Sequence, residues 1–203
     1  MRQILLAASF LLLTISLNLQ TASAQQPCTL KLSQSPSMRG VKLGMTVDQL
    51  LSLFPGSSDN AEIKQRLSAS EGYPDFGDVS FYLAPSRYAT GDHFAGVAEF
   101  YISSFDGRVV GVRVQYLNFP TGARWRRVDD LVEKFADSFH LPGPKDWEAN
   151  GADTRQLKCD GFETAVWAAG DSSSISLFDR SWVQTKQARS AAFEEQKRRE
   201  FKP

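Results

Sequence analysis

Residues 97–118 constrain the fold more than any other stretch of the chain. Val97–Phe105 and Arg108–Asn118 alternate apolar and polar side chains on either side of Asp106-Gly107. That is the pattern of two antiparallel strands joined by a tight turn, each with one face buried. The register follows from which pairing makes one face apolar. A two-residue turn sets Phe100 against Arg113. A three-residue loop, Phe105-Asp106-Gly107, sets Ile102 against Val110, Phe100 against Val112 and Ala98 against Val114. A one-residue slip turns every side chain to the opposite face, so the three-residue loop is the expected one.

A second Asp-Gly pair, Asp160-Gly161, lies in a run of three strand-like segments near 154–159, 162–168 and 173–178. A two-residue turn there places Lys158 opposite Glu163. A further short strand is expected near Val79–Leu83. Helical signals precede each strand group. Thr46 stands three residues before Gln49, a capping box, and Met45 and Leu50 occupy the staple positions. Val47, Leu50, Leu51 and Phe54 share one face, and Pro55-Gly56 ends the helix. A short helix is expected from Asp59, with Glu62 as its box partner and Ile63 and Leu67 facing inward. From about Arg124 to Phe139, Trp125, Val128, Leu131, Val132, Phe135 and Phe139 form a buried stripe.

The expected fold is therefore α+β: antiparallel sheet packed by short helices, in the order helix, strands, helix, strands, with a charged C-terminal helix. Residues 25–183 read as one domain, or alternatively as two αβ repeats, 39–119 and 120–183. Residues 184–203 read as a charged helical tail.

The N-terminus reads as a secretory signal peptide. Arg2 is the one charge in residues 1–24, Ile4–Leu17 is an apolar run, and Ala22-Ser23-Ala24 offers small residues for cleavage after Ala24. The run is too short for a membrane span, so no transmembrane anchor is expected in the mature chain. The expected location is bacterial, periplasmic or secreted. Two cysteines, Cys28 and Cys159, then have an oxidising compartment in which to form a disulfide.

The full chain has 23 basic and 23 acidic residues. Without Arg2 the net charge is −1, split into +3 over 184–203 and −4 over the remainder. That balance calls for no nucleic-acid partner.

No residue pattern specifies catalysis, a metal or a cofactor. His93 and His140 are the only histidines and stand 47 residues apart without ligand spacing. Gly170-Asp171-Ser172 is similar to the nucleophile block of the GDSL esterases, but no His follows position 140. A strand-to-strand turn accounts for the block better. Asp129, Asp130, Glu133 and Asp137 lie opposite the Trp125 stripe among basic residues, a solvated face.

The aromatic-rich stretch 73–94 is the candidate binding surface, through Tyr73, Phe76, Tyr82, Tyr88, His93 and Phe94. Arg198, Arg199 and Lys202 are candidate tail contacts to an acidic surface, and Glu194–Arg198 and Glu195–Arg199 are expected ion pairs.

Residues 39–56, Arg39-Gly40-Val41-Lys42-Leu43-Gly44-Met45-Thr46 through Phe54-Pro55-Gly56, resemble the helix-start motif of exported bacterial proteins. More distantly they resemble the Gly-Met-Thr helix start of the BamE/SmpA lipoproteins and the fold those share with β-lactamase inhibitory proteins. The resemblance implies short helices against an antiparallel sheet, and an envelope protein that binds other proteins. Cys28 follows Gln26-Pro27 rather than a lipobox, a departure from the lipoprotein pattern. The expected function is an exported, non-enzymatic binding module whose partner is an envelope or extracellular protein. The alternatives are an exported hydrolase with an unrecognised site and a structural envelope protein docked through its basic tail.

Overall fold

Thr46 caps its helix by the expected reciprocal pair: its Oγ1 accepts from the Gln49 N–H at 3.1 Å, and Gln49 Oε1 accepts from the Thr46 N–H at 2.9 Å. The computed structural model describes residues 27–69, 78–88, 94–116, 127–170 and 172–200. Residues 1–26, Trp125, Asp171 and Lys202 lie outside the described residues. The elements run α1 (Val47–Ser52), α2 (Ala61–Ala69), β1 (Asp78–Leu83), α3 (Pro85–Tyr88), β2 (Val97–Phe105), β3 (Arg108–Tyr116), α4 (Val128–Phe139), β4 (Glu148–Ala149), β5 (Thr154–Lys158), β6 (Phe162–Ala169), β7 (Ser172–Asp179) and α5 (Arg180–Glu200). The α+β expectation holds. The seven strands make one antiparallel sheet in the order β1-β2-β3-β7-β6-β5-β4, with the two strand groups meeting at β3 and β7.

Alternation places Phe81, Phe100, Ile102, Val112, Val114 and Leu177 on one sheet face, each at most 1% exposed. Helices α1, α2 and α4 cover that face. Val47, Leu50, Leu51 and Phe54 come from α1 and its C-terminal turn, Ile63 from α2, and Val128, Leu131, Val132 and Phe135 from α4. Phe54 packs on Phe94 and Phe100 with ring centroids 5.1 and 5.3 Å apart. The opposite face is open only in part: Tyr82 on it is exposed, whereas Ser103, Gly111 and Ser176 are buried and Arg189 of α5 lies 4.7 Å over the Phe105 ring. On it the Phe178 ring lies over Gly111, where an added Cβ would stand 2.7 Å from the ring.

The β2–β3 hairpin corrects the expected loop. Asp106 and Gly107 both have positive φ, 50° and 67°, and Phe105 pairs with Arg108, so the turn has two residues. The extra residue sits inside β3 instead. Ser103 pairs with Gly111 and Ser104 with Val109, leaving Val110 as a bulge. This insertion restores the apolar face by pairing Phe100 with Val114 and Ile102 with Val112.

The reason for the bulge lies on the other edge of β3. Up to Val109 that edge is occupied by residues 44–46: the Gly44 N–H donates to the Val109 carbonyl at 2.7 Å, and the Val109 N–H to the Met45 carbonyl at 2.9 Å. From Gly111 onward the same edge pairs with β7. Val110 is where β3 changes neighbours.

At the second Asp-Gly turn Lys158 pairs with Glu163, as the two-residue turn requires. The start of α2 differs from expectation. Asp59 ends a preceding 3-10 turn, and Asn60 caps α2, its Oδ1 accepting from the Glu62 and Ile63 N–H groups at 2.9 and 3.1 Å. An Asn one residue nearer the helix takes the N2 and N3 donors that Asp59 cannot reach. Of the expected tail pairs, Arg199 meets Glu195 at 3.1 Å. No α5 residue is buried, as its alanine-rich apolar positions foretell.

Cys28 and Cys159 form a disulfide with Cα atoms 4.4 Å apart, closing a separation of 131 residues. Beside it the Asp160 and Gly161 N–H groups donate to the Cys28 and Leu30 carbonyls, both at 3.0 Å, and Lys31 meets Asp160 at 2.7 Å. The N-terminal segment crosses so close that a Cβ on Gly161 would overlap the Leu32 amide and stand 2.6 Å from the Lys31 carbonyl carbon.

Two outcomes follow from this contact. Replacing both cysteines by alanine should lower unfolding free energy by roughly 2–5 kcal/mol, read from urea midpoints. An unchanged midpoint would show that the bond constrains nothing. Gly161→Ala should destabilise through backbone displacement even with the disulfide intact. A variant as stable as the parent would mean that the crossing is looser than described.

Candidate binding cleft

Strand β1 is one edge of the sheet, and α2 and α3 flank it in sequence. Between them lies a cleft of about 380 Å³. That is the lower end of the range for ligand sites. Asn60 ties its walls together: while capping α2 it donates from Nδ2 to the Tyr88 hydroxyl at 2.8 Å, linking α2 to α3. Arg66, on the next turn of α2, grips Glu62 with Nε and Nη2 at 3.2 and 3.0 Å, and its Nη1 donates to the Ser80 carbonyl at 3.3 Å. This last contact holds α2 to the edge strand and covers part of its exposed backbone.

Two of the sequence-expected surface residues line this cleft, Tyr82 and Tyr88. Tyr82 is 53% exposed, and its ring lies 4.9 Å from Tyr101 across the open face. The row continues inward. Arg113 sits 6.0 Å over the Tyr101 ring and donates from Nε to Ser176 at 3.1 Å. Phe94 is in the core, packed on Phe54 and Phe100, and offers no surface. Tyr73, Phe76 and His93 lie outside the described residues.

Sequence reasoning did not single out the charged lining, Arg66, Arg87 and Glu99. Glu99 had a legible signal. It stands two residues from Tyr101 in an alternating strand, so both side chains share the open face.

The other candidates fall elsewhere. His140 is exposed and left-handed at the C-terminal end of α4, its N–H donating to the Ala136 carbonyl. Asp130, Glu133 and Asp137 are exposed, and Asp129 holds Arg155 at 2.8 Å and Arg127 at 3.1 Å. Gly170, at φ 58°, turns β6 into β7, and Ser172 begins β7 opposite Ala169. Arg198 and Arg199 are exposed on α5. Among the described residues, no three His, Cys, Asp or Glu side chains converge as metal ligands, and no helix is long and apolar enough to cross a membrane.

Among the described residues one titrating group is displaced. Burial at the end of β3 raises the Tyr116 phenol above its ordinary range, with the nearby Arg39 guanidinium pulling it down. The folded state thus holds the phenolic proton more tightly than the unfolded chain. Its contribution to stability is constant below the free phenol pKa of about 10 and falls as pH rises through and above it. Tyr116→Phe should flatten the alkaline decline in denaturant midpoint between about pH 9 and 11 relative to the parent. Parallel pH profiles would show that this phenol is not linked to folding.

Comparison of the chain with protein-family models, with curated proteins and with solved structures returned no match.

Proposed function

We propose that the chain is exported and works as a binding module of the bacterial envelope, through protein contacts at the β1 edge. The observation that carries this reading is the cleft itself. An edge strand, an exposed tyrosine at 53% and a polar lining stand together on one side of the sheet. Edge strands and exposed aromatic rings are the usual materials of protein recognition. The disulfide agrees with an oxidising compartment. The likeness of residues 39–56 to exported envelope proteins implies the same class.

A photo-crosslinking amino acid at position 82, in protein produced in its native envelope, should give one discrete adduct. The same group at position 133, on the exposed face of α4, should give none. Equal labelling, or none at either position, would overturn the reading.

A second reading rests on α5, which has six basic residues against three acidic ones and none buried. It would dock the protein on an anionic envelope polymer. Removal of residues 184–203 should then abolish salt-sensitive retention in envelope extracts. Retention unchanged by the deletion would exclude the tail.

A further inference from the structure

The cleft contains charges of both signs, and they are not equally satisfied. Arg66 and Glu62 neutralise each other through the paired contacts on α2, and the remaining Arg66 nitrogen is taken by the Ser80 carbonyl. Glu99 is different. It is half-buried on the open face, and its carboxylate has no hydrogen bond or ion pair among the described residues. A carboxylate left without a partner inside the protein is open to a charge-assisted pair with a cation delivered by a ligand.

The surroundings favour such a cation. Glu99 stands two residues from Tyr101 on β2, and Tyr101 pairs directly with Tyr82 on β1. The carboxylate therefore lies diagonal to the exposed Tyr82 ring on one face. The pair already receives one cation from its own chain, since Arg113 sits 6.0 Å over Tyr101. Tyr82, half exposed at the outer end of the row, offers a second aromatic face. A carboxylate beside open tyrosine faces is the chemistry that binds a guanidinium or an ammonium group.

Arg87, on α3, lines the same cleft and has no side-chain hydrogen bond or ion pair among the described residues. Its donors suit the carbonyls of an extended main chain running along the sheet edge. An anionic ligand would meet Glu99, and an apolar one would bury it unpaired.

We infer that the cleft takes an extended polypeptide segment with its Lys or Arg side chain placed between Glu99 and the Tyr82 ring. This rests on the binding role proposed above for the β1 edge, and adds the chemistry of what binds there.

The test uses the mature chain and two capped pentapeptides, acetyl-Thr-Val-Arg-Val-Thr-amide and the same peptide with norleucine for arginine, titrated by NMR. The arginine peptide should bind at least about tenfold more tightly, shift resonances of residues 82, 99 and 101, and weaken in high salt. Free argininamide, which has the cation without the extended chain, should bind more weakly than the pentapeptide. Glu99→Gln should abolish the arginine preference, and Tyr82→Ala should reduce it, with thermal transitions confirming that both variants are folded. Equal affinity for the two peptides, binding of neither, or a preference that survives Glu99→Gln would overturn the inference. A discrete crosslink at position 82 without any arginine preference would leave the binding role standing and remove only the claim about the cation.

Discussion

A strand inside a sheet must find partners for the N–H and C=O groups on both of its edges, and β3 meets that demand with three different segments. Strand β2 takes one edge along its whole length. The other edge is divided between residues 44–46 and β7, with Val110 as the extra residue at the changeover. Much follows from this division. It seats the capped start of α1 against the hairpin, through Val47 donating to the Gly107 carbonyl and Arg108 to the Gly44 carbonyl. It lets a tight two-residue turn coexist with an apolar face. It also joins the two strand groups into one sheet, leaving β1 and the short β4 as the outer edges.

The two outer edges are treated differently. Strand β4 has two residues and gives another chain little to pair with. Strand β1 has six, and α2 protects it at one point through Arg66 and Ser80. The cleft lies where that protection ends. Its features come from ordinary structural parts: a helix cap that also reaches α3, an i,i+4 ion pair that also reaches the strand, and an aromatic pair across two strands. What distinguishes the place is the charge left without a partner among the described residues, Glu99 on the sheet and Arg87 on the short helix.

Sequence pattern made the core legible wherever side-chain period and burial coincide. The stripe Val128, Leu131, Val132 and Phe135, the capping box at Thr46, the Lys158–Glu163 pairing and the cysteine pair are all as expected. The hairpin was half legible. Alternation placed Phe100, Ile102, Val112 and Val114 together on the apolar face, but it also put Val110 and Ala98 there, which the register skips, and no local signal tells whether an extra residue sits in a loop or as a bulge within a strand. That choice was made by the Gly44–Thr46 segment, more than 60 residues away along the chain. The same limit applies to the cleft. Tyr82 and Tyr88 stood out as aromatic residues in an irregular stretch, whereas Phe94, equally prominent in sequence, was drawn into the core by Phe54 and Phe100. Arg66, Arg87 and Glu99 look like ordinary surface charges until tertiary contacts show which are paired.

The order in which β3 acquires its neighbours has a kinetic consequence. Gly111 and its partner Phe178 are 67 residues apart, while Gly111 and Ser103 on the hairpin are separated by eight. Loop closure is entropically harder over the longer span, so the hairpin should form early and the β3–β7 seam late. Until β7 arrives, most of one edge of β3 is an unpaired, valine-rich strand. The N-terminal half of the chain then resembles an open template for another strand, and its safest state before completion is unfolded. The disulfide spans a still longer interval, from Cys28 to the turn after β5. It is therefore suited to locking a finished sheet rather than to guiding its assembly.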